Sequence, residues 1–192
     1  MMHEPNKTCW GCGMEKPLSD FWRRTANPDH KDHFCIACKQ AKRIKYESTA
    51  QGLYESRARL LAMIVRPHYF PGQTAYQQLD HRFSIRKAYQ RQVPLEIVSN
   101  PRNLKLLDTT SNRRKGSRCS IGIQQLYSEA QVSPTLKRLA RTVETLNADQ
   151  LREWSKRFND RNTTIQVRDS ASSTLESLNN PEDPGLNPGS LS

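Results

Sequence analysis

Asp80-His81 sets a carboxylate beside an imidazole, and Asn103-Leu104-Lys105-Leu106-Leu107 and then Asn112-Arg113-Arg114-Lys115-Gly116 follow it. Such a set can hold one hard divalent metal, activate a water and grip a phosphate. Hydrolysis of a phosphodiester requires a deprotonated water, offset charge on the phosphorane and a stabilised leaving oxygen. His81 suits the general base, since an imidazole titrates near the working pH. Asp80 offers a hard oxygen ligand and Asn112 a neutral one. So few protein ligands suit magnesium, which keeps several waters and takes substrate phosphate oxygens. Neighbouring residues on a strand point to opposite faces, so Asp80 and His81 are expected at a strand end or bulge where both reach one cleft.

A second group carries different chemistry. Cys9-Trp10-Gly11-Cys12 and Cys35-Ile36-Ala37-Cys38 are two C-x-x-C knuckles separated by 22 residues. Each knuckle turns two thiolates toward one ion, and Gly11 and Gly13 suit the tight turn. Four sulfurs make the tetrahedral set of a structural zinc and leave no open position for catalysis. A redox C-x-x-C would occur once, within a βαβ pattern that is absent. His30 and His33 read as surface histidines, and Cys119 as a semi-buried thiol without a partner.

Composition favours a polyanionic partner. The chain has 192 residues, 35% of them apolar, with a net charge of +11 and a mean hydropathy of −0.83. Residues 1–120 hold 22 Lys/Arg against 10 Asp/Glu, and residues 121–192 hold 8 against 9, so the basic part coincides with the motifs. A field of that sign attracts nucleic acid and gains affinity from counterion release. No run approaches the roughly 18 apolar residues of a membrane span. The N-terminus lacks an apolar leader segment, which argues against secretion. In a reducing cytosol paired cysteines bind metal more often than they form disulfides.

The elements that must position these residues are small. Residues 7–41 are rich in loop formers. Leu53, Leu60, Leu61 and Ile64 recur at helical spacing, which predicts a helix over about 39–65 that stops at Pro67. Residues 75–81 read as a short strand running into Asp80-His81, and Leu104–Leu107 as a second. Between them, residues 84–99 form two helical pieces broken at Pro94. Thr109, Thr110 or Ser111 caps a helix opening with Asn112. Ser133-Pro134 opens another helix, with Leu136, Leu139, Val143 and Leu146 on one face. Asn147 to Gln150 resembles a further capping box, ahead of Leu151, Trp154 and Phe158. Residues 168–192 are rich in Ser, Asn, Pro and Gly and are expected to be disordered.

Asp80-His81, the run Asn103-Leu104 and Asn112, nine residues after Asn103, resemble the HNH endonuclease superfamily with its ββα-metal motif. The likeness covers roughly residues 77–119 and extends to free-standing, phage-encoded members, some of which carry a C-x-x-C ribbon. It implies Asp80 and Asn112 as ligands of a catalytic magnesium or manganese ion and His81 as general base. Asn103 would pin the loop that orients His81, with Asn100 as the competing candidate. Lys115 or Arg113 would contact the scissile phosphate. Many members have His where this chain has Asn112, which disfavours zinc in that site. Asp108 and Ser111 stand where many relatives carry cysteines, so the core is expected to lack a zinc of its own.

The expected class is therefore α+β. It comprises a zinc-ribbon module (1–41), a basic linker helix (42–74), a ββα-metal nuclease core (75–122), a C-terminal helical region (123–167) and a disordered tail (168–192). The leading reading is a metal-dependent DNA endonuclease, in the cytoplasm of a host cell if phage-encoded, that nicks or cuts both strands. Arg113, Arg114, Lys115, Arg23, Arg24, Lys42 and Arg43 are expected to contact DNA. A homodimer would suit action on branched DNA. The alternative is a non-catalytic zinc-ribbon DNA-binding or regulatory protein with a degenerate nuclease core.

Overall fold

A chain this poor in apolar residues must gather them on few elements, and here one long helix collects them. The computed structural model describes residues 5–74 and 76–159, and the disorder expected at 168–192 lies outside them. The chain divides into two units, Met1–Leu151 and Arg152–Ser192. The fold is α+β, mostly helical with two small sheets.

Strands β1 (Asn6–Thr8) and β2 (Glu15–Pro17) form an antiparallel hairpin around the first cysteine knuckle. Helix α1 (Ile36–Glu47) starts at the second knuckle, and α2 (Ala50–Tyr69) follows it. The single helix expected over 39–65 is thus two helices, and α1 runs across residues 41 and 42. The break has a local cause. Thr49 caps α2 by accepting from Gly52 N, and a Cβ at Gly52 would lie 2.0 Å from the Tyr46 carbonyl oxygen. Only glycine allows α2 to pass so close to the end of α1.

Helix α2 runs through Pro67 to Tyr69. Proline removes one intrahelical hydrogen bond, but it sits in the last turn, and Phe70 N still donates to Arg66 O at 2.8 Å. The inner face of α2 buries Ala58, Leu61, Ala62 and Val65. Against it pack α3 (Ile85–Gln90), α4 (Leu95–Val98) and α7 (Pro134–Thr145). Leu136 and Ala140 of α7 join this core, so that helix serves packing. Tyr54 of α2 donates to Val93 O at 2.7 Å, and Ser99 Oγ to Ala58 O at 3.0 Å.

Strand β3 (Gln77–His81) pairs antiparallel with β4 (Leu104–Asp108), with Asp80 opposite Lys105 and His81 opposite Leu104. Helix α5 (Thr109–Lys115) follows β4 without a loop. Asp108 caps it by accepting from Ser111 N at 2.9 Å, so the helix opens at Thr109 and Asn112 lies in its second turn. A short helix α6 (Ile123–Glu129) contributes Leu126 to the core, and α8 (Ala148–Asn159) ends the described chain. Asn147 and Gln150 form the expected capping box, bonding reciprocally at 2.9 and 3.0 Å. Among the described residues no helix is long and apolar enough to cross a membrane.

Candidate functional site

The sulfurs of Cys9, Cys12, Cys35 and Cys38 lie within 4.8 Å of one another. Four thiols at that separation can hold a structural metal such as zinc. The backbone shapes the set. Cys9 Sγ accepts from Gly11 N at 3.3 Å and from Cys35 N at 3.1 Å. The Cys35 amide is the main reason that the Cys9 thiol is drawn down to about 6. Hydrogen bonding to Cys35, burial and the other thiols push Cys38 up to about 12. The Cys9 thiolate thus forms readily, while Cys38 needs a cation beside it to ionise. A Cβ at Gly11 would lie 2.9 Å from Cys38 Sγ, so the knuckle requires glycine there.

Below the cysteines, Asp32 is buried and bonds to Lys39, with Arg24 at 3.8 Å. Lys39 is the main cause holding the Asp32 carboxyl below its ordinary value. His33 stacks on Trp10 with ring centroids 4.0 Å apart, and neither His30 nor His33 joins the sulfur cluster. Lys42 lies over the Phe34 ring, Arg43 pairs with Glu47 at 2.6 Å, and the backbone of Arg23 pairs antiparallel with that of Lys31.

The second site is a cleft of about 570 Å³. One wall is the end of β3 with the end of α5, bearing Asp80, His81 and Lys115. The other is α1, α2 and the start of α3, bearing Tyr46, Gln51, Glu55, Arg59 and Arg86. Strand pairing and the α5 packing explain the first wall. Gln78 and Asp80 lie on one face of β3, and Asn112 and Lys115 on one side of α5, so the pairs meet in register. Asn112 Nδ2 donates to Gln78 Oε1 at 2.9 Å. Lys115 Nζ lies 2.9 and 2.7 Å from the two Asp80 oxygens and donates to His81 O at 2.5 Å. Asp80 Oδ2 has this ion pair but no hydrogen bond of good geometry.

Asp80 and Lys115 are therefore in contact, whereas the Asn112 amide is directed to Gln78. Arg113 and Arg114 are exposed on α5, and Arg118 donates to Arg114 O. His81 Nε2 is buried and has no hydrogen-bond partner among the described residues. Burial pushes the imidazole down to about 3, with the charges of Arg59 and Lys115 adding to the effect. The ring is therefore neutral at neutral pH, but a much weaker base than the imidazole titrating near the working pH that the sequence led us to expect.

The segment after His81 is tied on several sides. Arg82 N donates to Asn103 O and Ser120 N to Arg82 O, each at 2.7 Å. Asn103 Oδ1 accepts from Phe83 N at 2.7 Å, while Nδ2 donates to Phe83 O at 3.2 Å and Val98 O at 2.7 Å. Asn100 holds a different loop, donating to Gln131 O at 3.0 Å and accepting from Arg102 N. Cys119 is a half-buried free thiol, as expected, and its Sγ accepts from Ser84 N at 3.2 Å.

Sequence reasoning placed Arg59 on the polar side of a helix and did not single out Glu55. Their i,i+4 spacing with opposite charge was visible, but nothing local revealed that α2 turns them toward His81. No family model, curated protein or solved structure matches this chain.

Proposed function

We propose that this protein is a metal-dependent DNA endonuclease of the HNH type, with β3, β4 and α5 as its ββα-metal core. The observation that carries this reading is the oxygen cluster around the Lys115 ammonium. Two Asp80 oxygens and the His81 carbonyl oxygen hold a cation at 2.5–2.9 Å, beside an imidazole held neutral by burial. Hard oxygens converging on a cation fit the ligand preference of magnesium or manganese.

Asp80 would hold that ion, and Asn112 would join it on leaving Gln78. When bound, the ion supplies charge stabilisation for the phosphorane and the leaving oxygen. His81 would accept the proton of the attacking water once DNA or metal binding opens its buried Nε2 to the cleft. Asn103 keeps Phe83 fixed, so the chain leaving His81 cannot swing the imidazole away. Lys115, released from Asp80, turns to the scissile phosphate. Arg113 and Arg114 on α5, and Arg23, Arg24, Lys42 and Arg43 around the cysteine module, supply backbone contacts that position DNA without reading its sequence. The four cysteines hold zinc, which stabilises a module too small to keep its own core. A homodimer would serve cleavage of branched DNA.

A second reading, a non-catalytic zinc-ribbon DNA-binding protein, draws on the same ion pair, because Lys115 neutralises Asp80 and Asn112 is bonded elsewhere. Supercoiled plasmid with magnesium or manganese separates the two. The nuclease reading expects wild type to nick and His81→Ala to lose nearly all activity. No nicking by wild type, or equal nicking by His81→Ala, would overturn it in favour of the second reading.

A further inference from the structure

The cleft wall opposite Asp80 and His81 is built from α2, outside the ββα unit, and it carries an arginine held for a purpose. Arg59 Nη2 lies 2.7 Å from Glu55 Oε2, and Glu55 Oε1 accepts from Gln51 Nε2 at 3.0 Å. The two partners have opposite surroundings. Glu55 is only 7% exposed, whereas the Arg59 side chain is 56% exposed to the cleft. Burial pushes the Glu55 carboxyl up, but hydrogen bonds from Gln51, Arg59 and Tyr46 outweigh it and keep the group ionised.

A half-exposed pair of this kind adds little stability, so burying its carboxylate calls for another explanation. The carboxylate orients the guanidinium. Nη2 of that planar group is fixed on Glu55 and the side chain lines the cleft, so its other N–H donors can serve a phosphate. Leu60 and Leu61, fully buried beside it in α2, hold the backbone of Arg59 in place. On the far wall the Lys115 charge is engaged by Asp80. The exposed cations of the near wall are therefore Arg59 and Arg86.

We propose that Arg59, oriented by Glu55 and with Arg86 beside it, binds a backbone phosphate of the DNA strand lying in the cleft, across from Asp80 and His81. The proposal rests on the nuclease reading only for which strand is held. Phosphate binding itself needs no metal. Arg59 touches substrate, and Glu55 is a positioning residue.

Binding of a short fluorescent DNA duplex, measured by anisotropy in EDTA with the zinc site loaded, tests it over a range of salt. Relative to wild type, Arg59→Gln is expected to weaken binding about tenfold, the scale of one charge-assisted contact. The slope of log affinity against log salt should fall by about 0.9. Arg59→Lys should restore the slope while recovering only part of the affinity. Glu55→Gln should weaken binding in the wild-type background and have no effect in Arg59→Gln, a coupling that a purely structural role would not produce. Thermal melting of each variant establishes that it is folded. Unchanged affinity and slope in folded Arg59→Gln would overturn the proposal, even if wild type nicks plasmid. Conversely, a wild type that never nicks overturns the nuclease reading while leaving the Arg59 contact measurable.

Discussion

Asn103 and Phe83 are joined reciprocally, side chain to backbone. Asn103 Oδ1 accepts the Phe83 amide at 2.7 Å and its Nδ2 donates to the Phe83 carbonyl at 3.2 Å. Asn103 is 2% exposed, so water cannot replace either bond. A third bond, to Val98 O, ties the start of β4 to both the segment leaving His81 and the end of α4. One side chain thus closes the 22-residue excursion between the two strands.

Replacing Asn103 by Ala strands one buried amide and two buried carbonyls, and should cost about 3 kcal/mol of stability. Asn103→Asp keeps the acceptor and loses the donors, so it should also destabilise. Urea unfolding measures both, and an Asn103→Ala midpoint equal to wild type would contradict the bonding described.

Stability should fall with acid through His81. Its folded value is depressed to about 3 from an ordinary 6.5. Above pH 6.5 the ring is neutral in both states and its contribution is fully present. Below that the unfolded chain takes up a proton that the folded one refuses, and stability declines until about pH 3. The slope is at most about 1.4 kcal/mol per pH unit. Urea midpoints of wild type and His81→Phe between pH 8 and 5.5 should diverge, with wild type the steeper. Any loss of thiolate-bound metal is common to both. Parallel profiles would show that His81 is protonated in the folded protein.

The Lys115–Asp80 pair makes metal binding competitive on the nuclease reading, because a divalent ion must displace the ammonium. Lys115→Met should therefore bind manganese about tenfold more tightly than wild type, and Asp80→Asn should lose most of the affinity. Calorimetric titration of metal in the absence of DNA reads both. Equal or weaker binding by Lys115→Met would mean that this oxygen cluster is not the ion site.

The cysteine set should carry one zinc per chain, lost in Cys35→Ser. Because metal binding supplies folding energy to so small a module, amide protection should disappear over residues 7–41 and persist in β3 and β4. Elemental analysis and hydrogen exchange give the two readouts. Freshly purified wild type without zinc would refute the assignment.

How much was legible depended on how local the cause was. The cysteine knuckles, the Ser133 and Asn147 caps and the two helical pieces around Pro94 follow from side chains acting within a few residues. The α1–α2 break was missed because it lies in a close approach at Gly52 that periodicity does not register. Asp108 rather than Asn112 marks the start of α5 because capping is decided by which side chain reaches a free amide, and several adjacent residues could have done so. The bond from Ser84 N to Cys119 Sγ spans 35 residues and lies beyond any local pattern.

The sequence by itself determined the kinds of chemistry available: four thiols at knuckle spacing, a carboxylate beside an imidazole, two asparagines and a surplus of basic residues. Those are properties of residue type and short-range spacing. Only the tertiary structure decided how they combine. Pairing β3 with β4 brought α5 onto Asp80, so Lys115 neutralises that carboxylate while Asn112 turns to Gln78. The packing of α2 put Glu55 and Arg59 opposite His81 and buried the imidazole enough to keep it neutral. The physical reason is that charges interact through space and not along the chain, and partners 20 to 60 residues apart become neighbours only when the core has closed.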